Sequence, residues 1–327
     1  MFKKLLVPLD RSPLAEQALG AAAAIGRASG AELKVIMVHQ PVPYAGFKDA
    51  PWKAAEAQDE EKYISTIAAE LASGASIAAT HELLRGDVIQ TICEHARDIQ
   101  ADLIVMTSHG RTGFSRAWLG SVADGVVRRS AIPVLMLRPV EKEVDRRATK
   151  PLFQRILVPL DGSALALAIL PTASALARYG NARLTLLGVV QPVPVAPPDA
   201  GAPFVVLTGT RDEAATTQLV EEAEQGLAEE ARVLADQGFS DVETRVVIDA
   251  RVAQAIIDFA AGNNIDAIAM STHGRGASRL LVGSVADKVL RASGLPMLLR
   301  RPIGVTEELD FVSSASIAEQ LPALATI

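Results

Sequence analysis

The chain has 327 residues and a formal net charge of -6, a length near two domains of ~100–200 residues each and a charge that argues against a nucleic-acid surface. Hydrophobic residues make up 49% but aromatics only 4%, so two sizeable cores must be built from Ala, Leu, Val and Ile rather than from rings. No uninterrupted apolar run reaches the ~20 residues of a membrane span, and the single cysteine, Cys93, cannot form an internal disulfide. A protein of a reducing cytoplasm, without a membrane or nucleic-acid partner, is the expectation.

The start, MFKKLLVPLDRS, has a brief apolar run that Pro8, Asp10 and Arg11 interrupt; it reads as a first strand, KLLVPLD, not as a signal peptide. Ser12 suits a helix N-cap and Pro13 the first helical position. That helix runs through Ala-rich sequence to about Ser29, where Gly30 ends it. LKVIMVH (33–39) is the next strand, QPVPYAGFKDAPW a loop, and a helix covers about Ala54 to Leu71. ATHELLR (79–85) is a third strand and 87–99 a helix. ADLIVMTS (101–108) is nearly continuously apolar, as a strand buried on both faces must be. A Gly-rich loop, a helix from Ser121 to Arg129 and a final strand at 132–138 complete the unit. The second half repeats the order, with strands near 155–160, 183–189, 243–248, 266–271 and 295–300.

The repetition is also literal. LLVPLDRS (5–12) returns as ILVPLDGS (156–163), and SHGRTGFSRAWLGSVAD (108–124) returns as THGRGASRLLVGSVAD (272–287). IPVLMLRP (132–139) returns as LPMLLRRP (295–302). A period this long makes each copy a whole domain: residues 1–140 and 153–302, joined by a charged linker at 141–152 and followed by a tail at 303–327. The tail suits either a docked helix over 313–321 or disorder. Strand and helix alternating in this way predict an α/β fold. It comprises two homologous doubly wound domains, each a five-stranded mainly parallel sheet with helices on both faces. Each final strand ends its unit at a sheet edge, and the two are expected to pair across the domains as an internal pseudo-dimer.

Ligands of such folds sit at the carboxyl ends of the strands, where strand order reverses. Three features lie there. Asp10 and Asp161 end the first strands, placed to accept from an adenine amino group or ribose hydroxyl, or to cap the next helix. The Gly-rich loops carry free N–H groups and open helices at Ser121 and Ser284, an anion site or a well-capped connection. His109 and His273 lie in the loops without a sequence partner to orient them, so backbone positioning is favoured over general-base work. His39, His81 and His95 show no ligand spacing and read as incidental. No Gly-Lys pair, GxGxxG after the first strand, HExxH or CxxC occurs, which gives no support to a Walker A loop, a dinucleotide fingerprint or metal catalysis.

The VPLD-x-S start, the (S/T)HG-x8–9-GSVAD loop and the closing Pro-containing strand together resemble the universal stress protein family, over about residues 2–139 and 153–302. The chain looks like a tandem member. The resemblance implies a stress-response protein that binds ATP, with Mg2+ accompanying it, and regulates an unidentified protein partner or assembles as a further homodimer. A scaffold of the same fold without nucleotide, and a slow ATPase, are the alternatives. In domain one it assigns Pro8, Leu9 and Asp10 to adenine and ribose and Val38 to the flank of the base. Met106 and Thr107 lead into the loop, and Ser108, His109, Gly110, Gly120, Ser121 and Val122 surround ribose and phosphates. In domain two the matching set is Pro159, Leu160, Asp161, Val189, Met270, Ser271, Thr272, His273, Gly274, Gly283, Ser284 and Val285. No catalytic residue and no metal ligand is assigned. Two departures stand out: Thr107 and Ser271 replace the first Gly of the family's binding pattern, and domain two has only residues 275–282 between Gly274 and Gly283, one fewer than domain one's 111–119.

Overall fold

The computed structural model describes residues 2–40, 51–75, 77–108, 119–139, 153–194, 211–272 and 283–302. The expected linker and tail lie outside them, as do loop residues 109–118 and 273–282. The first half runs β1 (Lys4–Leu9), α1 (Pro13–Glu16), α2 (Ala18–Ser29), β2 (Glu32–His39), α3 (Pro51–Ala75), β3 (Ala79–Arg85), α4 (Val88–Asp98), β4 (Leu103–Thr107), α5 (Ser121–Arg129), β5 (Val134–Leu137). The second runs β6 (Arg155–Leu160), α6 (Ala164–Leu167), α7 (Leu170–Gly180), β7 (Arg183–Val190), α8 (Glu213–Asp236), β8 (Val242–Ile248), α9 (Val252–Gly262), β9 (Ala267–Ser271), α10 (Ser284–Ala292), β10 (Met297–Arg300).

All ten strands form one sheet, in the order β3-β2-β1-β4-β5-β10-β9-β6-β7-β8. Each half is parallel throughout and doubly wound: β1 lies between β2 and β4, and β6 between β7 and β9. The halves join as the sequence predicts, by antiparallel pairing of the final strands, with Met297 opposite Met136 and Leu299 opposite Val134. Two apolar layers flank the sheet, and each runs through both halves. Leu5, Val7, Leu33, Leu135 and Leu298 belong to the layer under α2 and α7. Leu6, Ile36, Ile104, Met136 and Met297 belong to that under α4, α5 and α10. The strict alternation along each strand sends neighbours to opposite layers. Central β4 is buried at all five positions, as its unbroken apolar run requires.

Most boundaries fall where local chemistry puts them. Ser12 caps α1 through Ala15 N at 3.0 Å, Pro13 occupies the first helical position, and Gly30 closes α2 at φ 73. One expectation fails: the helix from Ser12 to Ser29 is two helices. At Gln17 the N–H reaches back to the Leu14 carbonyl, three residues away rather than four, and the α-helical ladder is interrupted there. The second half repeats the break between α6 and α7, so it belongs to the fold and not to one sequence. With few rings available, α2 packs through alanines buried at 0% exposure, Ala18, Ala22 and Ala23, which lets helix and sheet approach closely. No helix among the described residues is long and apolar enough to cross a membrane.

Candidate functional site

A crevice opens at the carboxyl ends of β1 and β4 because their pairing stops early. The last paired residues are Leu6 and Ile104, although β1 continues to Leu9 along β2 and β4 to Thr107 along β5. Pro8 has no N–H to extend a ladder. The second half repeats the device: β6 and β9 part after Leu157 and Ile268, with Pro159 beyond. These are the two reversal points in strand order, where such sheets take ligands. We call them site one and site two.

Asp10 and Asp161 stand at the lips. Their first role is to fix the turn into α1 and α6: Asp10 Oδ1 accepts from Ser12 N at 3.0 Å, and Asp161 Oδ1 from Ser163 N at 3.0 Å. The caps themselves are the serines, with Ser12 Oγ accepting from Ala15 N and Ser163 Oγ from Ala166 N, so helix capping is not the aspartates' function. Between Asp and Ser the chain is left-handed, at φ 77 for Gly162 and φ 68 for Arg11. Glycine takes this conformation freely; Arg11 holds it under strain of ~1–2 kcal/mol.

The opposite lip is the frame of the Gly loop. Ser108, fully buried, donates its N–H to Leu137 O at 2.9 Å, and its carbonyl accepts from Gly120 N at 2.9 Å. The loop thus leaves and returns through a single hydrogen bond. Thr272 repeats this, donating to Arg300 O at 2.8 Å and accepting from Gly283 N at 2.5 Å. His109, Gly110, His273 and Gly274 lie outside the described residues. At the returning ends, α5 and α10 start from Gly120 and Gly283, and neither has a side-chain cap. Helices α1, α4, α6 and α8 are capped by Ser12, Asp87, Ser163 and Asp212, whereas α2, α7 and α9, like α5 and α10, have no side-chain cap; what sets α5 and α10 apart is the glycine at the cap position. A glycine cap leaves the first-turn N–H groups and the positive end of the helix without a side-chain acceptor at the cap. Ser121 and Ser284, the first helical residues, are exposed there.

Thr107 and Ser271 close their strands in buried positions. The Ser271 hydroxyl donates to Ala166 O of α6 at 3.3 Å, so it is turned to the neighbouring helix. Met106 and Met270 are buried in the layer below the loop helices, with Val38, Val122, Val189 and Val285 partly buried against it. Among the described residues no cluster of three or more His, Cys, Asp or Glu is placed to hold a metal ion.

Sequence reading missed three histidine–carboxylate contacts, one of them beside site one. His39, the last residue of β2, shares a hydrogen bond of 2.6 Å with Glu60 of α3 through Nδ1, and the two side chains are 12% and 8% exposed. His81 meets Glu61 at 3.1 Å. His95 lies 3.8 Å from Glu82, and its burial pushes its pKa below the usual imidazole range. Each of the three has a carboxylate beside it, and the buried Nε2 of His95 makes no hydrogen bond. Separations of 21 and 20 residues carry no motif that could have announced the first two pairs.

Comparison with known proteins agrees with this architecture. A model of the universal stress protein family matches residues 1–138 and 152–301. A universal stress protein of Methanocaldococcus jannaschii is 33% identical over 150 residues, covering 44% of this chain and 86% of that protein. One of Mycobacterium tuberculosis is 29% identical over 251 residues, covering 75% of this chain and 78% of its own length. The crystal structure of a universal stress protein from Archaeoglobus fulgidus superposes with a TM-score of 0.65 at 21% identity, over 91% of this chain and 98% of that one.

Proposed function

The chain belongs to the universal stress protein family, and from that premise we propose that it binds ATP at sites one and two and works as a nucleotide-regulated switch with little or no turnover. The observation that carries this reading is the pairing of a splayed strand end with an uncapped helix N-terminus, twice, at the reversal points of the sheet. An anion placed there meets backbone N–H groups and the positive end of a helix. In this reading Pro8, Leu9 and Asp10 line the adenine and ribose side with Val38. Met106 and Thr107 form the floor, and Ser108, His109, Gly110, Gly120, Ser121 and Val122 enclose ribose and phosphates. Pro159, Leu160, Asp161, Val189, Met270, Ser271, Thr272, His273, Gly274, Gly283, Ser284 and Val285 do the same at site two. The residues present fit a polyanion: exposed serines at the first helical positions and no side-chain carboxylate at either cap. ATP supplies the triphosphate, with Mg2+ accompanying it; the protein supplies orientation and a loop whose order depends on occupancy.

We take residues 1–140 and 153–302 as the two working units, with 141–152 as linker and 303–327 as tail, in a protein of the cytoplasm that responds to stress. Native mass spectrometry of the purified chain tests the reading: retained ATP, released on denaturation, supports it. A chain free of nucleotide that also gives no heat on ATP titration favours a second reading, an interaction scaffold with the same fold. Thr107 and Ser271 favour that reading, because a side chain stands where the family's binding pattern has glycine.

A further inference from the structure

Helices α5 and α10, which start at the two uncapped ends, are locked to each other across the seam. Asp124, in the first turn of α5, accepts two bonds from Arg128 of its own helix, Nε to Oδ2 at 2.7 Å and Nη2 to Oδ1 at 3.0 Å. Arg291 of α10 reaches the same Oδ1 at 3.4 Å. Asp287 repeats the arrangement, with Arg291 Nε at 2.9 Å and Arg128 Nη2 at 3.5 Å. Two carboxylates therefore share two guanidiniums in a closed ring. The side chains are 25–38% exposed, so water weakens the attraction without abolishing it. The hydrogen bond to Asp124 raises the pKa of Arg128, and that to Asp287 raises the pKa of Arg291. The last turns are tied as well: Arg138, just beyond β5, donates to Leu290 O of α10, and Arg301, just beyond β10, donates to Arg128 O of α5 at 3.1 Å. Neither helix can shift without its counterpart.

The ring also has an electrostatic bearing on the sites. Asp124 and Asp287 lie in the first turn of their helices, within reach of the anion-attracting N-terminus, and each partly cancels it. The two guanidiniums decide by how much. We propose that the Asp124–Arg128–Asp287–Arg291 ring couples the two sites negatively, so that an anion bound at one helix N-terminus weakens anion binding at the other. Phosphate at α5 adds negative charge beside Asp124, and the two together draw more of both arginines. Asp287 is left less neutralised and sets a stronger negative charge beside the start of α10. By symmetry the effect runs both ways, as linkage demands. The proposal deepens the nucleotide reading and takes ATP as the ligand from it.

The test places a fixed charge at one site and reads the other. Gly120 has φ -59 and ψ 146, a cap conformation that Asp and Asn both adopt. Gly120→Asp installs a carboxylate where phosphate would sit; Gly120→Asn fills the same space without charge. ATP titrated into the full chain should bind site two about three- to ten-fold more weakly in Gly120→Asp than in Gly120→Asn, as expected for a fraction of a close charge–charge interaction at a half-exposed position. Adding Asp124→Asn to both should erase the difference. Amide hydrogen exchange of the first turn of α10, without nucleotide, should also differ between the two variants. Equal site-two affinities, or exchange changes confined to α5, overturn the coupling. If neither variant binds ATP, the nucleotide reading fails, and the exchange experiment still decides whether the ring transmits charge.

Discussion

Helix α5 must sit close to α4, and one position sets how close. A Cβ added to Gly125 would lie 2.4 Å from Ile89 Cδ1, 3.0 Å from Cγ1 and 3.1 Å from Cγ2, with the whole isoleucine side chain in the way. At the repeated positions the second half carries Lys288 and Ala253, so the glycine–isoleucine pair is not repeated there. Gly125→Ala should therefore cost about 1–3 kcal/mol in overpacking, less about 1 kcal/mol recovered in helix propensity. The net expectation is a loss of roughly 0–2 kcal/mol. Ile89→Ala alone should destabilise by about 2 kcal/mol through the lost side chain. Together the two should cost less than their sum by about 1–3 kcal/mol, because the new methyl occupies part of the vacated space. Urea titration of the four proteins closes the cycle, provided the transitions remain cooperative. A Gly125→Ala protein more stable by about 1 kcal/mol, with no coupling to Ile89, would show propensity acting alone and would refute the tight α4–α5 contact.

Other consequences are equally direct. Arg11→Gly should stabilise the chain by up to about 1 kcal/mol in urea titration, because the ~1–2 kcal/mol of left-handed strain it relieves exceeds the ~0.4–1 kcal/mol of chain entropy that a glycine adds to the unfolded state; a destabilised variant would show that the Arg11 side chain makes up for its strain. Burial pushes the Cys93 thiol up to about 11, so its thiolate fraction near pH 8 is about a thousandth and grows only as pH climbs toward that value. Iodoacetamide should modify the folded chain far more slowly than the urea-unfolded chain, and equal rates would contradict the burial. If the Gly loops grip phosphate through backbone N–H groups, deleting one residue between Gly113 and Trp118 should weaken site one by roughly 10²–10⁴-fold, two charge-assisted bonds' worth. Inserting a Gly beside Gly276 should strengthen site two. Calorimetry on the full chain reads both, and affinities indifferent to loop length would show that the loops do not wrap the ligand.

The architecture was legible because each level of the sequence repeats the same instruction. VPLD followed by Ser gives strand, turn and capped helix in both halves, and the run LIVMT, too short for a helix and rich in β-branched residues, reads as a strand buried on two faces. What could not be read is what depends on pairing across distance. Pro8 looked like part of a strand motif; its effect on β1 and β4 appears only once Ile104 is known to be the last partner. Arg11 and Gly162 look dissimilar, yet they share one backbone conformation because Asp and Ser on either side impose the turn. His39 has no motif around it, and its partner appears only once α3 brings Glu60 to it. Asp124 and Arg128 show helical spacing in the sequence, but their sharing with Asp287 and Arg291 requires the antiparallel seam. The family's ligand roles came from resemblance, and no periodicity could have supplied them.

The central claim is that the glycine-capped starts of α5 and α10 hold the phosphates of ATP. Isothermal titration of ATP into the wild-type chain and into a Gly120→Asp, Gly283→Asp double variant tests it most directly, because each aspartate caps its helix with the chain's own carboxylate and should leave the fold intact by circular dichroism. The account predicts binding to the wild type and its loss, by at least a hundred-fold in Kd, in the double variant. Undiminished ATP binding in a folded double variant would contradict it and place the nucleotide elsewhere on the sheet.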